Sequence, residues 1–160
     1  MYKRQVSHAA FPAVTKERTP ASLSKKWITD ILSKKIGYRG LICSDDMEMG
    51  AVLAPAPIKQ TAIEQITIGH IRAGGDLALI CHQEAFILRA HEALAREAER
   101  DGKFARRVRE SAARVLAFKK KSLGRHPPAP TAARVEKLTR RLWEFGEEIR
   151  MATLAREDRA

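Results

Sequence analysis

Residues 41–50 are LICSDDMEMG, an apolar run that passes directly into acidic residues at positions 45, 46 and 48. The run Leu41 to Cys43 has the character of a buried strand, and Asp45 and Asp46 follow it almost at once. A solvent-exposed loop needs polar residues, but it does not need two adjacent carboxylates packed against an apolar segment. The stretch therefore predicts a buried strand whose C-terminal end carries either chemistry or a local turn.

Two other segments have the same apolar character and predict two further strands. They are QVSHAAF at residues 5–11, which stops at Pro12, and DLALIC at residues 76–81. We place the middle strand at residues 40–44. Strands that are apolar on both faces and are separated by amphipathic helices are typical of a parallel sheet in an α/β protein.

Helical periodicity occupies the segments between and after these strands. The first helix is predicted from Ser22 to Ile36 and is closed by Gly37, after a loop at 12–21. Further helices are predicted at about 58–73, 83–100 and 103–121, with a proline-bearing loop at 54–57. Three strands make a small parallel sheet, whereas a closed (β/α)8 barrel needs about 250 residues. The chain is therefore expected to be part of something larger.

Composition excludes several classes of protein. A hydrophobic content of 44% is too high for a disordered chain, and no apolar run approaches the roughly 20 residues of a membrane span. The N-terminus has no apolar core of signal-peptide type. Cys43 and Cys81 lack CxxC spacing and are expected to be reduced and partly buried. These features favour a cytoplasmic protein.

The net charge of +11 is carried mainly by the C-terminal part of the chain. Residues 1–100 hold 14 Lys and Arg against 11 Asp and Glu, whereas residues 101–160 hold 16 against 8. A proline-rich linker is predicted at 124–131 and a basic amphipathic helix from 132 to about 154, so the chain divides into 1–123, 124–131 and 132–160. A solvated helical face explains this basic tail better than a nucleic-acid site, because no helix-turn-helix, zinc-finger or RRM signature is present.

Chemistry in α/β folds collects at the C-terminal ends of parallel strands. His8, the pair Asp45 and Asp46, and the pair Cys81 and His82 are predicted at three such ends, on one common rim. Each also has a structural explanation. Asp45 or Asp46 could cap a turn, His8 could be a hydrogen-bonded histidine, Cys81 could belong to the core, and His82 could lead into a helix. No metal-ligand spacing and no phosphate loop occurs, so neither a metal nor a cofactor is predicted.

Four pieces of the chain, in order, resemble one known family. They are SHAAFP, PASLS, GYRGLICSDDMEMGA and AGGDLALIC, within about residues 5–121. Together they resemble the second half of the catalytic barrel of glycoside hydrolase family 3, and most closely its bacterial β-N-acetylhexosaminidases. The resemblance implies the last three βα units of a (β/α)8 TIM barrel, followed by C-terminal helices.

The resemblance also implies roles for individual residues. Asp45 matches the first aspartate of the S-D-D-[LM] motif, the nucleophile that forms a covalent glycosyl-enzyme in this retaining family. Asp46 would support it, and His8 is a candidate contact to the sugar in the same pocket. The family's K-H-F-P-G-H-G segment and the Asp–His loop that supplies the acid/base in this subgroup are not in this sequence. That departure puts the activity of the chain alone in doubt.

Two hypotheses therefore stand for the function. In the first, the chain is the C-terminal segment of a β-N-acetylhexosaminidase that acts on terminal N-acetylglucosamine, either truncated or split from an N-terminal half on a separate chain. In the second, it is an inactive half-barrel remnant that serves as an interaction or oligomerisation module, self-associating through exposed sheet edges.

Overall fold

A computed structural model of the protein describes residues 3–53, 63–123 and 129–157. The chain divides into two compact units, residues 1–124 and 125–160. The first unit contains the sheet and most of the helices, and the second contains one long helix. Among the helices in the described ranges, none is both long enough and apolar enough to cross a lipid bilayer.

A three-stranded parallel sheet forms the centre of the first unit, with the strands in the order β1-β2-β3. The strands are β1 (Lys3–Val6), β2 (Leu41–Asp46) and β3 (Leu77–Leu79). The predicted α/β class with three parallel strands is confirmed. Lys3 pairs with Leu41 and Val6 with Ser44 across the first interface, and Cys43 pairs with Leu77 across the second.

The strand ends differ from those predicted, most clearly in β1. This strand stops at Val6 rather than Phe11, because the backbone beyond it bonds to a different segment. The Ser7 carbonyl accepts from Ser22 N–H at 3.1 Å, and the Ala9 carbonyl accepts from Ala21 N–H at 2.9 Å. The third strand ends two residues earlier than predicted, at Leu79.

The segment predicted as one helix from 22 to 36 is two helices of unusual type. A 3-10 helix covers Ala21–Leu23 and a π-helix covers Lys26–Lys35. The π-helix has more residues per turn than an α-helix. At its C-terminal end the Ile36 N–H donates to the Ile31 carbonyl, five residues earlier, at 2.8 Å. The predicted stop is correct, because Gly37 follows with a φ of 75°, a conformation that glycine adopts without strain. The loop predicted at 12–21 contains a four-residue helix α1 (Pro12–Thr15).

The remaining helices follow the predicted order, except that the short helix at residues 50–53 was not predicted. They are α2 (Gly50–Leu53), α3 (Ile63–Ala73), α4 (Glu84–Arg100), α5 (Gly102–Leu123) and α6 (Ala132–Glu157). The loop predicted at 54–57 and the start of the helix predicted at 58–73 lie outside the described residues, as do residues 124–128 of the predicted linker.

Two apolar clusters join the helices to the sheet. One packs Ile42 of β2 against Ile28 of the π-helix and Ala73 of α3. The other lies beyond the end of β2 and contains Met47, Val52, Ile63, Ile66 and Ala90. The second cluster holds the segment after Asp46 in place, so the acidic stretch leaves the sheet along a fixed path.

A buried carboxylate fastens the N-terminal ends of β2 and β3 to α5. The Asp76 side chain has no solvent exposure and accepts from the guanidinium groups of Arg107 at 2.9 Å and Arg114 at 3.2 Å. It also accepts from Ile42 N–H at 3.0 Å and from the Ser111 hydroxyl at 3.2 Å. With two cations and two further donors, this buried charge is fully compensated.

The C-terminal end of helix α3 is tightly packed around the side chain of His70. The imidazole of His70 is completely buried, and burial lowers its pKa. Its Nδ1 lies 2.7 Å from the Ser22 carbonyl. A Cβ built on Gly75 would lie 2.0 Å from Nε2 of His70, so this position has room only for glycine.

We expect Gly75→Ala to destabilise the protein by about 3 kcal/mol, because a methyl group forced against a buried ring causes overpacking. Gly69→Ala on α3 is the matched control, since its added Cβ would make only an ordinary contact of 3.7 Å with Leu23. Urea unfolding followed by circular dichroism measures both variants. Equal midpoints for Gly75→Ala and Gly69→Ala would contradict the tight packing described here.

Candidate active site

Asp45 and Asp46 are the last two residues of β2. They are positioned by an irregular pairing of this strand with β3. The Ser44 hydroxyl accepts from Leu79 N–H at 2.9 Å and takes the place of a backbone acceptor in the ladder. The register then shifts, so that Asp46 rather than Asp45 pairs with Leu79. Irregularities of this kind are frequent beside active sites, where they redirect a side chain. Here the shift turns the two carboxylates toward different neighbours.

Asp45 lies half-buried at the end of β2 and is held through one of its two carboxylate oxygens. Its Oδ1 accepts from the Gln5 side-chain amide at 2.6 Å and from the backbone N–H of Asp46 at 3.0 Å. Among the described residues, none hydrogen-bonds to its Oδ2. The carboxylate is therefore fixed in orientation and keeps one oxygen available for a substrate.

Gln5 is a residue of this site that the sequence did not indicate. It lies on β1 opposite Cys43, two residues before Asp45, and residues two apart along a strand face the same side of a sheet. This register brings its amide to the carboxylate. Only the strand pairing reveals the contact, because the two residues are 40 positions apart.

Asp46 is the centre of a separate set of contacts that joins the three strand ends. Its carbonyl accepts from Nε2 of His8 at 2.8 Å, and its Oδ2 lies 3.2 Å from Nδ1 of His82. Its Oδ1 accepts from Glu48 N–H at 3.1 Å, which closes a tight turn. Desolvation and the neighbouring carboxylate of Asp46, which also accepts a hydrogen bond from the thiol, raise the pKa of Cys81.

His8 is buried, and both of its ring nitrogens have partners. Nδ1 lies 2.6 Å from the Ser22 hydroxyl, and Nε2 bonds the Asp46 carbonyl. The ring therefore connects the segment after β1 to the end of β2. A contact between His8 and a sugar stays a prediction, and it would require one of these two bonds to be exchanged.

Cys81 is exposed, so its predicted place in the core is wrong, although both cysteines are free thiols. The reason is that β3 ends at Leu79, which leaves Cys81 in the loop beyond the sheet. Cys43 is buried within β2, and this burial raises the pKa of its thiol. His82 precedes α4 as predicted, and its side chain is 73% exposed.

Glu48 ties the acidic stretch to the start of α4. Its carboxylate accepts from the backbone N–H groups of His82 at 2.7 Å and Gln83 at 3.0 Å. Desolvation alone would raise the pKa of Glu48, but these two hydrogen bonds together with the charge of His82 lower it overall. A carboxylate is favourable at this position because the N-terminus of a helix carries partial positive charge.

Three residues of this region could jointly hold a metal ion. Asp46, Glu48 and His82 each offer one ligand atom, and these atoms lie within 4.8 Å of one another. Sequence spacing could not indicate this group, because His82 is more than 30 positions from the two acids. In the structure the three residues already contact one another, since Nδ1 of His82 lies 3.2 Å from Asp46 and the backbone N–H of His82 donates to Glu48, which explains their proximity.

Comparison with known proteins identifies relatives for most of the chain. Residues 5–118 match the family described as the glycosyl hydrolase family 3 N-terminal domain. A beta-hexosaminidase from Xanthomonas oryzae pv. oryzae is 35% identical over 79 residues, which are 49% of this chain and 22% of that protein. One from Stenotrophomonas maltophilia matches to the same extent.

Solved structures agree with this assignment. A glycoside hydrolase family 3 beta-N-acetylglucosaminidase from Paenibacillus sp. superimposes with a TM-score of 0.68 at 29% identity, over 81% of this chain and 24% of that one. The beta-N-acetylglucosaminidase from Thermotoga maritima superimposes with a TM-score of 0.63 at 32% identity, over 72% and 24%. The chain thus spans about a quarter of the length of these relatives.

Proposed function

Because this chain belongs to glycosyl hydrolase family 3, we propose that it is the C-terminal part of the catalytic barrel of a retaining β-N-acetylhexosaminidase. The observation that carries the proposal is the carboxylate of Asp45. It stands at the C-terminal end of a parallel strand, held through Oδ1 by Gln5 and by the Asp46 N–H, with no described partner on Oδ2. A glycosidase nucleophile needs this combination of fixed orientation and one free oxygen.

In the proposed reaction, Oδ2 of Asp45 attacks the anomeric carbon of a terminal N-acetylglucosamine. The bond from that carbon to the leaving-group oxygen breaks, and water later hydrolyses the glycosyl-enzyme with net retention. The two bonds to Oδ1 hold the carboxylate against the strand, so that attack requires little rearrangement. Asp46 supports the nucleophile indirectly, since it supplies the N–H on Oδ1 and links His8, Cys81 and His82 to the same strand end.

The proton for the leaving group must come from a residue elsewhere in the barrel. The relatives' names indicate hexosaminidases, so we propose an N-acetylglucosamine-containing glycoside as substrate. The two free cysteines are compatible with a cytoplasmic setting, which we also propose. We also propose that the other βα units, on a separate N-terminal half, complete the pocket around Asp45. Residues 1–123 would then serve as the final units of the barrel.

The open edge of β1 supports the existence of such a partner. An apolar cavity of about 290 Å³ lies beside this strand, lined partly by Val6, Trp27 and Leu32. Phe11 and Ile36 at the same place are 45% and 67% exposed. The indole N–H of Trp27 is buried, and no described residue accepts its hydrogen bond. A further strand and helix on this edge would cover the apolar side chains and could provide the acceptor.

Supplying the missing part of the barrel tests the proposal. Alone, the chain should release nitrophenol from 4-nitrophenyl N-acetyl-β-glucosaminide slowly or not at all, because loss of the acid/base removes about 10²–10⁴ in rate. Co-expression with the part of the Xanthomonas enzyme that precedes the matched region should restore turnover. The corresponding β-glucoside, which lacks the acetamido group, is the control substrate. If the combined halves co-purify and show no hydrolysis, the proposed function is wrong.

A further inference from the structure

Helix α6 presents a continuous apolar stripe that the rest of its own unit, where the structure describes it, does not cover. Every described side chain from residue 132 to residue 154 is exposed, except that Glu147 is half-buried. Most of the stability of a helix in water comes from packing an apolar face rather than from intrinsic propensity. A 26-residue helix with no buried side chain among those described, residues 132–154, therefore calls for a partner.

The apolar residues of this stripe alternate at intervals of three and four. We call them the α6 seam: Val135, Leu138, Leu142, Phe145 and Ile149, with exposures of 48%, 55%, 72%, 58% and 52%. At about 100° per residue they fall within an arc of roughly 80°. A repeat of 3.5 residues is the pattern by which two helices pack as a coiled coil.

Charged residues on the outer face of α6 form ion pairs within the helix, whereas two charged residues on one border of the seam form none with the described residues. On the outer face, Arg140 pairs with Glu144 at 3.0 Å, and Arg150 pairs with Glu147 at 2.6 Å. Arg141 and Glu148 lie seven residues apart along one border of the seam. Neither has an ion pair or side-chain hydrogen bond with another residue in the described ranges.

We propose that α6 is a self-association element, which binds the α6 of a second copy of this chain in antiparallel orientation. In this arrangement Leu142 of one copy packs against Phe145 of the other, and Leu138 packs against Ile149. Arg141 of each copy then faces Glu148 of the other, which makes two reciprocal ion pairs from charges that have no ion pair among the described residues of a single chain.

A parallel arrangement of the same seam offers no such pairs. In parallel coiled coils a residue on this border faces a residue five positions further along the other helix. Arg141 would then face Gly146, and Glu148 would face Thr153, neither of which is charged. Charge complementarity therefore selects the antiparallel pair of identical helices.

Sedimentation velocity of the full chain, followed over a range of concentrations, tests the proposal. Leu142→Asp should raise the dissociation constant of the dimer at least about tenfold, because a charge is placed in the middle of the interface. Trp143→Asp is the matched control. Trp143 is a neighbouring apolar residue with 68% exposure, but it lies outside the seam, so its replacement should change the constant by less than about twofold.

A charge exchange tests the orientation separately. Arg141→Glu should weaken the dimer, since each new Glu faces Glu148 of the other copy, and adding Glu148→Arg should restore it. None of these variants touches the sheet, and circular dichroism checks that the helix content is kept. A wild-type chain that stays monomeric up to about 1 mM would overturn the proposal. So would a dimer that Leu142→Asp leaves unchanged, or one that the double exchange fails to restore.

Discussion

In an enzyme reconstituted from this chain and the proposed N-terminal half, Asp45→Asn should lower kcat by a factor on the order of 10⁴–10⁶, the scale seen when an enzyme loses its nucleophile. The amide cannot form the covalent bond to the anomeric carbon. It can still accept the bonds from Gln5 and from the Asp46 N–H, so the strand end should keep its structure. Release of nitrophenol from the aryl N-acetylglucosaminide measures the loss.

Asp46→Asn is the matched comparison, since it makes the same chemical change at the adjacent residue. Its effect should be much smaller, because Asp46 contacts His82 and Glu48 rather than a reacting atom in the proposed mechanism. Gln5→Ala should also be milder than Asp45→Asn, as it removes one positioning bond from Oδ1. A reconstituted enzyme that keeps full activity with Asp45→Asn would show that Asp45 is not the nucleophile.

For stability, the largest effect should come from Asp76→Ala. The substitution leaves Arg107, Arg114 and the Ile42 N–H without their common acceptor, and breaking a buried ion pair from one side costs about 3–5 kcal/mol. Urea unfolding of the full chain at a fixed concentration should show this as a lower midpoint. If the variant does not fold, Asp76→Asn keeps the size of the side chain and isolates the loss of charge.

Asp30→Ala is the control for removing a carboxylate. Asp30 forms an exposed pair with Lys34 at 3.3 Å, and such pairs contribute about 0.5 kcal/mol or less. Similar midpoints for Asp76→Ala and Asp30→Ala would mean that the buried contacts of Asp76 do not hold the sheet to α5.

The elements that the sequence predicted well are those set by local pattern. The run at 41–44 has the apolar character of a buried strand. This run predicted both a parallel sheet and the place of Asp45 at the end of the strand. The helices α4 and α5 were predicted to within two residues, because their apolar periodicity persists for many turns.

What the sequence did not reveal depends on contacts between distant segments. Val6 ends β1 because residues 7 and 9 bond to residues 21 and 22, which no local pattern encodes. Cys81 was expected in the core because it ends an apolar run, but the ladder with β2 stops at Leu79. The sequence contained a weak indication of the role of Asp76. Arg107, Ser111 and Arg114 are spaced so that they share one face of α5, where they could bind a common acceptor.

The opposite ends of the sheet differ in how much amino-acid change they should tolerate. The contacts of Asp76 lie where β2 and β3 begin, whereas Asp45, Asp46 and Cys81 lie where these strands end. Laboratory evolution of a new specificity could therefore randomise the exposed positions 49, 81 and 82 while the chain still folds. A library that varied positions 74–76 would consist mostly of unfolded clones.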